Sequence, residues 1–163
     1  MQINIISAVA RNRAIGYNNN LLYFIKEDLR RFKQLTTSNT VIMGRRTFES
    51  LPKGALPNRR NIVLSRTKKD FPNCDVYTSL DEALKHIDKD EKAFIIGGAS
   101  VYKEALEMAD HLYLTEIDAI PENADVFFPE YDNNIWTVEA KEEHAETEDV
   151  PAYSFVDYVR KQA

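Results

Sequence analysis

The chain of 163 residues has a single cysteine, Cys74, so an internal disulfide framework is excluded and a reducing, cytoplasmic setting is expected. Its three histidines, His86, His111 and His144, are far apart and show no metal-ligand spacing. No apolar run approaches the ~20 residues that span a bilayer. The opening stretch MQINIISAVA lacks the basic start of a secretory signal and alternates like a strand. Five glycines and six prolines build no linker, repeat or low-complexity tract. There is no P-loop lysine, no nucleophile elbow, no acid pair set for glycoside chemistry and no GxGxxG fingerprint. Serine and cysteine have no evident histidine partner. These absences leave one domain over residues 1–163 and favour a bound cofactor that carries its own reactivity.

Charge is present but unevenly placed. Between Val41 and Asp70 stand Arg45, Arg46, Lys53, Arg59, Arg60, Arg66, Lys68 and Lys69, against Glu49 and Asp70. That segment carries +6 within a chain of net charge −5, so the remainder carries −11. Cations concentrated on an acidic protein suit a small multivalent anion. Nucleic acid would call for a basic domain with interleaved stacking aromatics, and neither is present. Charge alone does not separate an anion site from a solvated cationic face.

Short apolar runs alternate with amphipathic stretches. INIISAV, NTVIMG, RNIVLS, DVYT and AFIIGG read as strands. KEDLRRFKQLT, RTFESL, SLDEALKHI and ASVYKEALEMA read as helices, with Ser79 capping the third and Glu82 three residues on. HLYLTEI, IWTVEAKEE and AYSFVDYVRK close the chain as strands, the last two flanking an acidic stretch from Glu142 to Asp149 that is expected to be an exposed turn. This order predicts an α/β fold: a mostly parallel sheet of about eight strands, helices on both faces, and an antiparallel C-terminal edge. The unbroken runs VIM, IVL and FII fit strands buried on both faces.

Within LLYFIKEDLRRF, a helical period places Ile25, Leu29, Phe32 and Leu35 on one apolar stripe. Asp28 falls inside that stripe. Glu27 falls with Arg30, Arg31 and Gln34, where ion pairs can form in water. One carboxylate is therefore directed at the interior, although a first-turn acid favoured by the helix dipole would look the same in sequence.

In a parallel sheet, ligands bind outside the carboxyl ends of the strands. Three such ends invite an anion. Gly44, Arg45, Arg46 and Thr47 gather N–H groups, two guanidiniums and a hydroxyl after one strand. Ser65 and Arg66 follow the next, and Gly97-Gly98 ends a third where close ligand approach is possible. Each alone is common for conformational reasons; three at successive ends point to an anionic nucleotide.

With AIG, EDLRRFK, VIMGRRTFESLP, LPNRRNIVLSR, IIGGASVY, LYLTEID and FFPEY in this order, the chain resembles the dihydrofolate reductase family from first strand to last. The resemblance implies hydride transfer from NADPH to C6 of 7,8-dihydrofolate and a proton to N5, in support of one-carbon and thymidylate metabolism. It implies that Asp28 holds the 2-amino group and N3 of the pterin and promotes protonation, with Thr115 hydrogen-bonded to it. Arg59 would clamp the substrate's α-carboxylate, a task suited to a bidentate guanidinium. Ile6, Ala8, Leu29, Phe32, Leu51, Leu56 and Ile96 would wall the pterin and benzoyl groups. Arg45, Arg46, Thr47, Ser65 and Arg66, with Gly44 and Leu64, would take the cofactor's pyrophosphate and 2′-phosphate. Gly97, Gly98, Ala99, Ser100, Val101 and Tyr102 would lie beside the nicotinamide and pyrophosphate, the Gly-Gly peptide being cis in the family. Ile15 and Gly16, with Ala8 again, lead into a loop, YNNNLL, that would close over the nicotinamide. Antifolates are implied as ligands; a metal, nucleic acid or membrane partner is not, and a monomer is expected.

Two departures stand just ahead of Asp28. Leu22-Tyr23 replaces the Pro-Trp usual in the family, so the Tyr23 hydroxyl would have to serve, at a different reach, where an indole N–H orders water. Lys26 stands where proline is common and fixes φ. LPKGALP is also slightly longer than many versions. Arg60 and Tyr23 have bland readings too, as a solvated loop arginine and as packing. A pyrimidine reductase of riboflavin synthesis shares this fold and cofactor but is not expected to combine the helix acid with LPNRRN. A catalytically idle folate- or nucleotide-binding protein is the non-enzyme alternative, and Asp28 together with Thr115 argues against it.

Overall fold

In the computed structural model, which describes residues 1–67 and 70–161, fourteen elements follow one another. They are β1 (Gln2–Ala10), β2 (Ala14–Gly16), α1 (Lys26–Thr36), β3 (Thr40–Gly44), α2 (Arg45–Ser50), β4 (Arg60–Leu64), β5 (Asp75–Tyr77), α3 (Leu80–Leu84), β6 (Lys92–Gly97), α4 (Ala99–Ala105), β7 (His111–Ile117), β8 (Val126–Phe127), β9 (Trp136–His144) and β10 (Tyr153–Arg160). Lys68 and Lys69, two of the eight clustered cations, lie outside the described residues.

Eight strands form one sheet in the order β5-β4-β3-β6-β1-β7-β10-β9. The first six are parallel; β10 runs antiparallel to β7 and to β9. The expected α/β architecture and antiparallel edge are therefore present. The apolar runs feed both faces at once, as doubly covered strands require. Ile42, Ile62 and Ile95 join α3 and α4 in one core, while Val41, Met43, Val63 and Phe94 face Leu35, Phe48, Leu51 and Leu56 in the other. Sheet position thus aligns the ends of β1, β3, β4, β6 and β7 along one rim.

Several expectations need correcting. β2 and β8 pair as a separate two-stranded ribbon that three- and two-residue runs are too short to announce. The helix at SLDEALKHI ends at Leu84, and the one at ASVYKEALEMA ends at Ala105. Beyond α3 the bonds reach back three residues, as in His86 N–H to Ala83 O; beyond α4 three-residue bonds such as Met108 N–H to Ala105 O interrupt the ladder before Ala109 N–H returns to Ala105 O, so neither coil continues as regular α-helix. Ser79 does cap α3, accepting from the Glu82 N–H at 3.1 Å. Glu142 and Glu143 belong to β9 and not to the turn, which begins after His144. Their exposed charges lie on an edge strand, where they discourage pairing with another chain.

Candidate active site

Helix α1 begins without a side-chain cap. Ile25 holds the N-cap position in extended conformation (φ −117°, ψ 108°) and is buried against Ile117, Tyr153 and Phe155. That anchor turns the first helical turn toward β7. Asp28 becomes half-buried and accepts a hydrogen bond from the Thr115 hydroxyl. Thr115 is itself pinned between Ala8 of β1 and Phe155 of β10 by strand register. Burial pushes the Asp28 pKa above its ordinary value; the Thr115 hydrogen bond and the Arg31 cation pull the other way without cancelling it. A carboxyl so placed can hold a proton closer to neutrality than a surface acid.

The remainder of the stripe behaves differently from a core-facing face. Leu29 is 38 % exposed, so its side of α1 is not packed onto the sheet. Ile6, Leu51, Leu56 and Ile96 pack against the core while staying partly accessible, as walls of a cleft would. Phe32 is likewise half-buried. Tyr102, fully buried, donates from its hydroxyl to the Ile6 carbonyl at 2.9 Å, joining α4 to the strand that carries Ile6 and Ala8. Burial raises its pKa, so the hydroxyl stays protonated and remains a donor.

Arg59 is positioned more firmly than a loop arginine. Its Nη1 donates to Thr36 Oγ1 at 3.0 Å and its Nε to the Pro57 carbonyl at 2.9 Å. Asn61, 3 % exposed, bonds both ways with the Leu56 backbone at 2.9 Å and donates to the Arg59 carbonyl at 3.0 Å. Thr36 and Asn61 were missed from sequence; a buried asparagine at the head of an apolar strand was the available signal. Arg60 is no solvated bystander. It is fixed by Asp75 at 2.9 Å, by Glu91 at 3.0 Å and by the His86 carbonyl at 3.0 Å. The expected pair of Glu27 with Arg30 forms at 3.0 Å, but Arg31 turns away to Asp157.

On the other side of the cleft, the ends of β3 and β6 meet. Register pairs Met43 with Gly97, after a shift at Ile42. The Gly97–Gly98 peptide is cis, as the resemblance implies. Gly97 has φ +140°, and a Cβ there would lie 2.9 Å from Thr47 Oγ1. A Cβ on Gly44 would touch Val101 Cγ2 at 3.5 Å. The two strand ends thus form a bare-backbone cradle bordered by Gly98, Ala99, Ser100 and Val101. Arg45 has one long ion pair, to Glu49 at 4.0 Å, and among the described residues Arg46 and Arg66 have none. Exposed cations beside side-chain-free backbone fit a polyanionic cofactor. Ser65 is buried, its N–H bonded to the Tyr77 carbonyl, and Leu64 packs into the core, so among the described residues Arg66 is the exposed cation at that strand end.

The loop after Ile15-Gly16 is held rather than loose. Tyr17 and Asn20 bond each other through a turn in which Asn18 and Asn19 take positive φ (51° and 61°). The Asp125 N–H reaches the Gly16 carbonyl, and the Asn18 N–H reaches Asp125 Oδ2, both at 3.0 Å. Asp125 was another residue that sequence reasoning did not single out. Tyr23 packs beside Ala8 against Ile25 and Tyr153. Among the described residues its hydroxyl has no hydrogen-bond partner, and Tyr23 lines a concavity shared with Tyr17, Leu22 and Ile120. A surface concavity of about 560 Å³, lined by Asn58, Arg59, Glu91 and Lys92, lies at the opposite end of the sheet from Asp28 and Gly97.

Fold and site define a class: α/β domains in which a half-buried acid faces a glycine-lined, cation-bordered sheet rim. The family described as dihydrofolate reductase matches residues 2–160. Dihydrofolate reductases of Neisseria gonorrhoeae and Bacillus subtilis (strain 168) are 41 % and 39 % identical to the chain. Each alignment covers 99 % of the chain, with 99 % and 96 % of those relatives. The structure of dihydrofolate reductase from Enterococcus faecalis complexed with NADP(H) and RAB-propyl superposes with TM-score 0.91 at 33 % identity, covering 99 % of this chain and 97 % of that one. The chain belongs to the dihydrofolate reductase family.

Proposed function

We propose that the chain reduces 7,8-dihydrofolate to 5,6,7,8-tetrahydrofolate, using NADPH. The observation that supports this most is the half-buried Asp28 carboxyl, held by Thr115 at the mouth of an apolar cleft. When bound, NADPH supplies the hydride that reaches C6. Arg45, Arg46, Thr47 and Arg66 would hold its phosphates, and the Gly97-Gly98 backbone would let its ring approach the substrate.

The chain's own groups account for the rest. Asp28 can accept hydrogen bonds from the 2-amino group and N3 of a pterin with the oxygen lone pairs that Thr115 leaves open. Its pKa, raised by burial, makes the carboxyl hold a proton more readily than a surface acid does, which favours placing a proton at N5. Arg59, preoriented by Thr36, offers its outer guanidinium edge to the α-carboxylate. Ile6, Leu29, Leu51, Leu56 and Ile96 exclude water from the ring system. We further read residues 1–163 as one domain acting as a cytoplasmic monomer, with antifolates as competitors for Asp28.

The test is to mix protein, NADPH and dihydrofolate and follow loss of the reduced-nicotinamide absorbance, with NADH in parallel. Turnover with dihydrofolate and preference for NADPH are expected. Turnover with a ribosylated pyrimidine instead would overturn the substrate, and binding of both ligands without turnover would mark an idle binding protein.

A further inference from the structure

Arg31, the cation that opposes the effect of burial on Asp28, has an unusually constrained placement. It stands three residues after Asp28, on the next turn of α1. Its Nη2 lies 2.5 Å from Asp157 Oδ1, with the two side chains only 20 % and 19 % exposed. Its guanidinium carbon sits 4.6 Å above the centroid of Phe155. Both partners are on β10, where Phe155 pairs in register with Thr115 and Asp157 with Tyr113. The strand that holds Thr115 against Asp28 is therefore flanked by the strand that holds Arg31. Arg30, one position earlier, pairs with Glu27 in water, each about half exposed.

We propose that Arg31 is a positioning residue for the reaction. Held by Asp157 and the Phe155 face, it keeps a fixed cation one helical turn from Asp28 and thereby sets the pH range over which that carboxyl is ionised. This rests on the proposed reductase function only for its kinetic consequence. A cation on a flexible arm would be screened by water; one desolvated on two sides and clamped by an anion acts at closer to constant strength. Other groups act on Asp28 from each packed element: the Thr115 hydroxyl from β7, the neutral Tyr102 hydroxyl from α4 and Tyr153 from β10, while Glu27 beside it on α1 pairs with Arg30 and Asp157 of β10 pairs with Arg31. Among the described residues Arg31 is the one cation whose attraction opposes the effect of burial on Asp28.

Asp28 is to be titrated in the full chain, without ligands, by carboxyl-carbon NMR, in the parent and in Arg31→Met, Arg31→Lys, Arg31→Met/Asp157→Asn and Arg30→Met. The double variant leaves no half-buried charge unpaired, so it tests the idea even where Arg31→Met folds poorly. Removal of the cation is expected to move the Asp28 midpoint to higher pH in both Arg31→Met backgrounds. Arg31→Lys should restore most of it, and Arg30→Met should leave it in place. The pH at which hydride transfer falls to half its acid limit should move upward in the same variants. Unmoved Asp28 midpoints in the folded single or double variant would overturn the proposal. So would an equal shift in Arg30→Met. Because the NMR midpoint needs no turnover, failure of the substrate assignment would leave this outcome readable.

Discussion

The Thr115 hydroxyl on β7 donates to the carboxylate of Asp28 on α1, across 87 residues of sequence. Its geometry is set by register, since Thr115 is locked between Ala8 and Phe155. A hydrogen bond to a carboxylate favours the charged form, so this contact restrains the upward push of burial. Thr115→Val keeps the shape and removes the donor. Because hydrogen bonds to charged groups contribute about 1.5–3 kcal/mol, the variant should lose roughly 10- to 100-fold in kcat/KM for dihydrofolate. The Asp28 midpoint should also rise. Unchanged kinetics across pH would show that the contact is incidental.

Asp28→Asn separates activity from stability. Hydride transfer should fall strongly near neutral pH and recover in part in acid, where the substrate arrives already protonated. Stability should move the other way. The folded-state pKa of Asp28 is raised, so its favourable contribution is complete below the unfolded pKa and is lost as pH rises through the folded value. At pH 8 the parent therefore carries the cost of a buried carboxylate that the amide avoids. Asp28→Asn should melt higher than the parent at pH 8, by roughly 2–4 °C per 1 kcal/mol relieved in a domain of this size. The gain should shrink at pH 4. A variant that melts lower at pH 8 would contradict this.

The division of labour inside the first helix was largely legible in sequence. Period alone set Asp28 apart from Glu27, and the bounds of α1 coincide with KEDLRRFKQLT. The parallel sheet followed from alternation, because crossover helices leave few alternatives. The residues that escaped notice depend on tertiary contact. Thr36 and Asn61 matter only because Arg59 folds onto the end of α1, and Asp125 only because it meets Gly16 across 109 positions of chain. Arg60 was misread for the same reason: its partners Asp75 and Glu91 are remote in sequence. Leu29 was legible as apolar, but a face that lines a ligand cleft and a face that lines a core have the same period.

Adjacent arginines should now respond differently. Arg59→Met removes the proposed carboxylate clamp and should raise KM for dihydrofolate roughly 10- to 100-fold with little change in Tm. Arg60→Met instead strands Glu91 and Asp75 and should cost about 1–3 kcal/mol in stability, less than a fully buried pair because these groups are partly exposed. Burial raises the Glu91 pKa, but hydrogen bonds from Thr40, the Asp88 N–H and Arg60 outweigh it, and the net direction is down. A depressed carboxyl gives stability present above its unfolded pKa and lost as pH falls. Part of the acid destabilisation of the parent should therefore vanish in Arg60→Met. Thermal melts from pH 3 to 7 would check this, and equal pH slopes in both proteins would refute it.

Among the described residues, Arg66 is the exposed cation that follows β4, next to buried Ser65. NADPH differs from NADH by one phosphate, so a residue that reads that phosphate should affect only one of the two. Arg66→Ala should weaken NADPH by roughly 10- to 100-fold, the scale of one charge-assisted contact, while NADH changes little. The difference should narrow as salt is added. Titration of both nucleotides by fluorescence would measure it, and equal weakening would remove Arg66 as the discriminating group.

Gly97 is constrained twice over. Its φ of +140° disfavours any side chain, and a Cβ would sit 2.9 Å from Thr47 Oγ1 and 3.5 Å from Thr47 Cγ2. Gly97→Ala should cost about 1–3 kcal/mol from backbone conformation alone, with the contact to Thr47 added. The two contributions can be separated. Thr47→Ala removes both obstructing atoms but leaves φ untouched, so Gly97→Ala/Thr47→Ala should be more stable than the sum of the single changes predicts. Recovery should be partial, because the backbone contribution persists. Strict additivity in denaturant melts would mean that Thr47 yields freely, and that the backbone alone keeps this strand end bare.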